Sequence, residues 1–134
     1  MALPVSGGGY QFGDGNSSEA EFTPQAAAVA YTSTTVTLTA ADLITGIITS
    51  TNASAVGFTL PTAALMDAAV PNARVDTAFD FVVINLGSSS GAVTMTAGTG
   101  WGTNVGSSTV AISTSARFRA RKTGDAAWLL YRVA

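Results

Sequence analysis

The sequence contains no histidine and no cysteine, and only 10% of its 134 residues are charged. Histidine is the only side chain whose unperturbed pKa lies close to neutrality, so the usual acid–base residue at neutral pH is missing. Without histidine, a serine–histidine–aspartate catalytic arrangement is excluded. The lack of cysteine excludes both disulfides and thiolate metal sites. These absences favour a protein that acts as a binding surface. We therefore expect no enzymatic activity, no cofactor and no bound metal.

Basic residues are missing from the first half of the chain. No lysine or arginine precedes Arg74, whereas five acidic residues do; from Arg74 onward, six basic residues outnumber three aspartates. The net charge of −2 gives no overall positive excess of the kind that indicates nucleic acid as a partner. Halves of opposite charge can attract neighbouring copies, and such a division can also arise by chance in a weakly charged chain.

Long apolar runs are lacking as well. The longest ones, residues 26–31 and 128–131, are far shorter than the roughly 18 apolar residues that a membrane span requires. The N-terminus lacks the basic stretch and the following apolar stretch of a secretion signal. We therefore expect a soluble protein that is made in a cytoplasm and has no membrane partner.

Residues 1–24 differ from the rest and predict an extended arm, which leaves residues 25–134 as one β-rich body. Glycines at 7–9, 13 and 15 oppose a helix, because glycine loses much backbone entropy on ordering. Candidate anchors on a partner surface are interspersed among them: Leu3, Pro4, Val5, Tyr10, Phe12 and Phe22. The arm either lies on a partner or packs on its own body, and the number of anchors favours the partner.

Short segments rich in β-branched and aromatic residues predict strands throughout the body. They cover residues 35–39, 47–49, 56–60, 78–86, 92–96, 108–113, 116–122 and 128–133. Residues 78–86 are apolar almost without interruption, which predicts a central strand covered on both faces. Repeated strands separated by glycine-containing turns predict a mainly β fold, either a small antiparallel sandwich or a barrel of jelly-roll type.

One short helix is predicted over residues 63–69, where good helix formers follow Thr62 as the N-cap. Its sheet-facing side is expected to consist of Leu65, Met66 and Ala69. Residues 40–45 predict a single helical turn that Gly46 ends.

Three arginines, Arg117, Arg119 and Arg121, alternate with small or aromatic residues. Successive side chains of a strand point to opposite faces, so the three guanidinium groups share one side. They are candidates for a subunit interface, although charges on an edge strand also prevent unwanted pairing. Nucleic acid is the least favoured partner, because only Lys122 adds to the row.

Two sets of acidic residues resemble known sites incompletely. Asp76 and Asp80 invite comparison with paired glycosidase carboxylates, but nothing in the pattern forces them together, and sugar-stacking aromatics are scarce. We expect Asp80 to pair with an arginine or to cap a turn. A calcium-like loop starting at Asp14 would place Gln25 at the twelfth position, where a glutamate is needed.

Trp101 lies in a loop framed by Gly98, Gly100 and Gly102. It is either an exposed recognition residue for sugar or protein, or an aromatic plug of a small core. The plug is the favoured alternative.

Several segments together resemble small virion proteins of tailed bacteriophages: residues 38–48, 60–65, 79–85, 98–101, 116–119 and 128–132. The resemblance spans roughly residues 35–133 and leaves the arm outside. It implies a capsid-associated β-domain, a decoration or cement protein that binds the major capsid protein on the outer surface of the shell.

The same resemblance implies a homo-oligomer, commonly a trimer, that is located in the virion after synthesis in the host cytoplasm. An alternative within the virion is a host-recognition or fibre-tip module that binds glycans. That alternative requires exposed loop aromatics, chiefly Trp101 and Tyr10.

Overall fold

The computed structural model describes residues 22–134. Its elements, in chain order, are β1 Val29–Tyr31, β2 Thr35–Thr37, α1 Ala40–Thr45, β3 Ile47–Ser50, β4 Val56–Thr59, α2 Ala63–Ala69, β5 Ala78–Asn85, β6 Val93–Thr96, β7 Thr109–Val110, β8 Thr114–Gly124 and β9 Ala127–Arg132. Neither helix of the described part is long and apolar enough to cross a membrane.

The strands form two sheets. Sheet I has five strands in the order β1-β3-β5-β8-β9, and sheet II has four in the order β2-β4-β6-β7. The expected mainly β fold is confirmed, and its architecture is a small sandwich.

The strand pairing is mixed, whereas the sequence suggested antiparallel, jelly-roll-like pairing. From β1 to β6 the chain alternates between the sheets, so each strand pairs in parallel with the strand two places along. Because the chain re-enters each sheet from the same end, parallel pairing follows. Only the later strands, β7 to β9, join their neighbours in antiparallel fashion.

Aromatic side chains form the centre of the core between the sheets. Phe58, Phe81, Phe118 and Trp128 are almost completely buried. The rings of Phe81 and Phe118 stack with their centroids 5.7 Å apart, and Tyr31 packs edge-on against Phe58 at the same separation. The core therefore joins neighbouring strands of sheet I to sheet II.

Helix α1 is longer than the single turn expected, and it begins with a reciprocal cap. The Thr39 hydroxyl accepts a hydrogen bond from the backbone N–H of Asp42, whose carboxylate accepts one from the backbone N–H of Thr39. The Tyr31 hydroxyl donates to the same carboxylate at 2.7 Å. Burial and this bond to Asp42 raise the pKa of Tyr31 to about 12. Asp42 thus ties β1 to the start of α1, which Gly46 ends as predicted.

Helix α2 has the predicted bounds and the predicted cap at Thr62. Its predicted sheet-facing side is wrong in part. Ala63 and Met66 are buried, whereas Leu65 is 58% exposed and Ala69 is exposed as well. The helix makes less than two full turns, so a rotation of one position changes which residues reach the core.

The turn of the β8–β9 hairpin contains a strained position. Ala126 has a φ of 47°, in the left-handed region that favours glycine. We expect Ala126→Gly to raise the free energy of unfolding by about 0.5–1 kcal/mol, because relief of this strain exceeds the added entropy of the unfolded chain. Thermal unfolding measures the effect, with a gain of about 3 °C in Tm. Ala127→Gly, in the following strand, should have the opposite sign.

The edge strands on the two sides of the sandwich differ in how they are covered; β9 and β7 lie on one side, and β1 and β2 on the other. On the first side, residues 100–105 run along β9, with bridges from Trp101 to Trp128 and from Val105 to Tyr131. The Arg132 guanidinium also donates to the Thr109 carbonyl of β7 at 2.5 Å. On the other side, β1 and β2 are edge strands with no further partner strand in residues 22–134.

Candidate functional site

The arginine row lies on the outer face of sheet I, as its alternation predicted. Arg117 and Arg119 are exposed and Arg121 is partly exposed, whereas Ala116, Phe118 and Ala120 between them are buried. The three positions oppose Val82, Asp80 and Ala78 of β5. Lys122 does not belong to the row, because it points inward and is 9% exposed.

Two of the arginines are held by aspartates of the same chain. Arg119 forms a two-pronged bond to Asp80, with N–O distances of 2.6 and 3.0 Å. Arg121 binds Asp76 at 2.5 Å and donates to the Tyr131 hydroxyl at 2.9 Å. The expectation that Asp80 pairs with an arginine is confirmed. Each aspartate thus has its own guanidinium partner, so the two are not arranged as a catalytic pair.

These ion pairs shift the titration of the groups involved. The hydrogen bond from Arg119 lowers the pKa of Asp80, and the charges of Arg119 and Arg117 act in the same direction. The hydrogen bond to Asp80 likewise raises the pKa of Arg119, and the bond to Asp76 raises that of Arg121. Because these pairs are solvent-exposed, they contribute little to stability.

Arg117 differs from its two neighbours. Within residues 22–134 its guanidinium forms no salt bridge, and its side chain is exposed. Its positive charge therefore remains available to a carboxylate outside the described part of the chain. A role of the row at a subunit interface stays a prediction.

An apolar strip runs beside the arginine row on the outer face of sheet I. It consists of Ile47, Val82 and Ile84, which are only partly buried; we call these residues the outer strip. Ile47 and Val82 lie side by side in register, and Arg117 follows next in the same row.

The outer strip corrects one expectation. Residues 78–86 were expected to form a strand covered on both faces, and β5 is indeed central in sheet I. Its inward residues Phe81 and Val83 are buried, but Val82 and Ile84 on the other side have no covering element in the described residues. The apolar run predicted cover on both faces, but within residues 22–134 only the inner face is covered.

A shallow depression of about 400 Å³ adjoins one end of the outer strip. Ile84, Leu86 and Ser115 contribute to its lining, and Leu86 is 58% exposed. Apolar surface therefore continues past the end of β5.

A second, larger groove lies where β2, β4 and β6 end. It encloses about 590 Å³ and has an almost entirely apolar lining that includes Leu38, Leu60, Pro61 and Leu65. The exposure of Leu65 is explained by this position. The groove contains no charged residue, so its lining offers apolar packing surface but no charged group to orient a ligand.

Trp101 is not an exposed recognition residue; that expectation is wrong. The side chain is 9% exposed, and its indole N–H donates to the Pro61 carbonyl at 2.7 Å. Its ring packs against that of Trp128, with centroids 6.1 Å apart. The tight glycine-framed loop turns the ring inward and lets the backbone run along β9, so the alternative of a core plug is confirmed.

The predicted arm lies almost entirely outside the described residues. Leu3, Pro4, Val5, Tyr10 and Phe12 belong to that part, so their contacts stay predictions. Phe22, the last anchor, is described and is 85% exposed. Its side chain is therefore not packed on its own body.

No group of three or more histidine, cysteine, aspartate or glutamate residues in the described chain could hold a metal ion. The chain matches no protein-family model, and no curated protein or solved structure was found to be similar to it. The described residues form a small mixed-sheet β sandwich, and within residues 22–134 no element covers the apolar and arginine-bearing outer face of sheet I.

Proposed function

We propose that this protein is a non-enzymatic structural protein of a tailed-phage virion, which binds the outer capsid surface and stabilises the shell by bridging major capsid subunits. The observation that carries the proposal is the outer face of sheet I, where the outer strip lies beside Arg117. Contiguous exposed apolar surface with a polar rim marks a site of protein association. The sequence resemblance to small virion proteins is the reason for proposing a phage capsid as the assembly to which this face contributes.

The distribution of contacts suits a protein that joins others. The body has a well-buried core, and the arm adds candidate apolar anchors outside it. In a repeating shell, weak contacts at many identical sites sum to a large stabilisation, because linked binding events raise the effective concentration of the next one. A homo-oligomer, with a trimer favoured, would multiply the contacts further.

The alternative of a glycan-binding host-recognition module loses its main support. It required exposed loop aromatics, chiefly Trp101 and Tyr10; the Trp101 ring is buried in the core, and Tyr10 lies outside the described residues. We therefore retain the capsid-binding role alone.

Sedimentation with capsids tests the proposed function. Capsids of the phage that encodes this chain, prepared without it, are mixed with the purified protein and pelleted. We expect the full chain to pellet in a saturable, fixed ratio to the major capsid protein. Deleting residues 2–22 should abolish co-sedimentation, because the anchors are lost, and circular dichroism should still report a folded body.

Variants of the body provide the matched comparison. Val82→Asp places a charge in the outer strip, and Thr96→Asp places one on the exposed face of sheet II. We expect the first to weaken co-sedimentation at least tenfold, the loss that about 1.4 kcal/mol of contact energy produces, and the second to have little effect. Failure of the full chain to pellet would overturn the proposed function, and full binding by the truncated chain would exclude the arm.

A further inference from the structure

We infer that the outer strip and Arg117 bind residues 10–21 of a second copy of this chain, so that exchanged arms hold the oligomer together. This assignment rests on the proposed function for the role of that oligomer: the arm of a second copy covers the outer strip, and the oligomer so formed binds the capsid through its other surfaces and through residues 1–9. The contact between copies itself requires no capsid, so Val82→Asp weakens co-sedimentation by separating the copies. The assignment names the segment that covers the uncovered face of sheet I.

The first ground is the apolar character of the uncovered face. Ile47 and Val82 lie in one row with Arg117, and Ile84 lies two residues further along β5 in the next outward row. Burying an aliphatic side chain is favourable because it removes apolar surface from water, and these three are only partly buried. A covering segment must therefore bring apolar side chains. Tyr10 and Phe12 provide two aromatic rings within three residues.

The second ground is charge complementarity. Among the described residues, the Arg117 guanidinium forms no salt bridge; its charge acts on Asp80, but that carboxylate is bonded to Arg119. Residues 1–21 contain three acidic residues, Asp14, Glu19 and Glu21, and no basic residue. The aromatic rings precede these carboxylates in the sequence, so a single extended segment can cover the outer strip and then reach the arginine row.

The third ground is the geometry of the exit from the body. Residues 22–28 are all exposed, and Phe22, the residue next to the segment, is 85% exposed. In this stretch Gln25 bonds to the Thr45 carbonyl at 2.7 Å, at the end of α1 just before β3. A segment that folded back onto its own sheet would pack this stretch, so the exit favours a neighbouring copy.

The length of the segment is sufficient. Twelve extended residues span roughly 40 Å. Sheet I, with its strands about 4.8 Å apart, is roughly 19 Å from β1 to β9. Residues 10–21 can therefore cross the outer face of a neighbour and leave residues 1–9 for a further contact.

Disulfide trapping tests the contact, and the absence of native cysteine makes it clean. Ser18→Cys lies between the acidic residues of the arm, and Ser115→Cys is exposed on the outer face beside Arg117. The two single variants, one of them carrying a size tag, are mixed as full-length chains and oxidised gently. We expect a mixed disulfide dimer of the tagged and untagged chains as the main product. A Thr96→Cys chain, exposed on sheet II, replaces Ser115→Cys in the control and should give a much lower yield.

The double variant Ser18→Cys/Ser115→Cys distinguishes the source of the arm. Disulfide-linked dimers and larger species support exchange between copies. An intramolecular disulfide in a monomer, or no mixed dimer above the Thr96→Cys control, overturns the inference. The trapping experiment contains no capsid, so it is independent of the proposed function. Trapping without co-sedimentation would support the oligomer and reject the capsid role. Co-sedimentation without trapping would support the capsid role and reject the exchanged arm.

Charge reversal tests the role of Arg117. Arg117→Glu should lower the trapping yield about threefold, the size expected of one exposed ion pair. Adding Glu19→Arg and Glu21→Arg to the same chain should restore it. Arg74→Glu, an exposed arginine outside the row, is the matched control and should change the yield little. Equal yields for Arg117→Glu and Arg74→Glu would overturn the assignment of Arg117.

Discussion

Replacing Asn85 with alanine is expected to lower the free energy of unfolding by about 4 kcal/mol. The side chain is 1% exposed, and its amide group donates to the carbonyl oxygens of Gly91 and Val110 at 2.8 and 3.0 Å. Its own oxygen accepts from the Gly87 N–H at 2.8 Å. Alanine would leave these buried backbone groups without partners, and each such group costs about 1–3 kcal/mol.

The position of Asn85 explains why the loss is large. The residue ends β5 in sheet I, whereas Val110 belongs to β7 in sheet II, so one amide joins the two sheets and the turn between β5 and β6. Glycine is required at Gly91 as well, because a Cβ there would lie 2.1 Å from the Asn52 carbonyl oxygen. The turn thus has little room to rearrange around a shorter side chain.

Urea unfolding followed by circular dichroism measures the effect. Asn72→Ala, at an exposed position, is the matched control and should change stability by less than about 0.5 kcal/mol. Asn85→Asp provides a second measurement, because a carboxylate cannot donate to the carbonyls and should be at least as harmful as alanine. Losses below about 1 kcal/mol for both Asn85 variants would contradict this account.

Asp67→Ala is the second large effect, with an expected loss of about 3–4 kcal/mol. The carboxylate of Asp67 on α2 accepts from the Ala126 N–H at 2.7 Å and from the Trp128 indole N–H at 2.8 Å. It also lies 3.1 Å from the Lys122 ammonium, whose side chain is 11% exposed. Alanine would leave a mostly buried positive charge and two donors without partners, which is costlier than loss of an exposed pair.

This interaction should depend on pH in a defined direction. The hydrogen bond from Ala126 is the main cause that lowers the pKa of Asp67, assisted by the bond from Trp128 and by Lys122, while desolvation opposes the shift. A carboxyl whose pKa is lower in the folded state stabilises the fold above its unfolded pKa and loses that contribution as the pH falls. The advantage of wild type over Asp67→Asn should therefore be constant near neutrality and shrink below the ordinary value of 3.8.

Chemical unfolding at pH 7 and at a series of acidic pH values measures both effects. Asp125→Ala, an exposed aspartate in the β8–β9 turn, is the matched control and should stay within about 0.5 kcal/mol of wild type. An Asp67→Ala loss no larger than that of Asp125→Ala would contradict the role of this cluster. A stability difference between wild type and Asp67→Asn that grows toward low pH would contradict the sign.

Local signals predicted most of the elements, but they missed β1 and did not predict which strands pair. The cap at Thr62 and the good helix formers after it predicted the bounds of α2, because those signals act within a few residues. Parallel pairing was not predicted, because it depends on which sheet each strand enters. A repeat could have indicated it: Thr37, Thr59 and Thr96 occupy equivalent registers of neighbouring strands, each after a buried apolar residue.

The sequence predicted one part of the candidate site, the arginine row, but not the other part, the outer strip. Alternation placed the three arginines on one face, since the period of a strand is fixed. The apolar run of residues 78–86 predicted a strand covered on both faces, which left the outer strip unrecognised. Such a run indicates that a face is suited to burial, but it does not indicate what covers it. The role of Asn85 was missed altogether, because its partners are backbone groups that carry no side-chain signature.

The open edge formed by β1 determines how this protein bears a mechanical load. A pull that is applied to the N-terminal side in the direction of β1 enters sheet I at Val29. β1 is joined to β3 by a parallel ladder of three residue pairs. Tension along the strand strains the hydrogen bonds of that ladder together, so β1 must slide past β3 before it detaches, and the tension passes toward β5 in the middle of sheet I. An arm attached in this way anchors the body in shear rather than peeling its edge open.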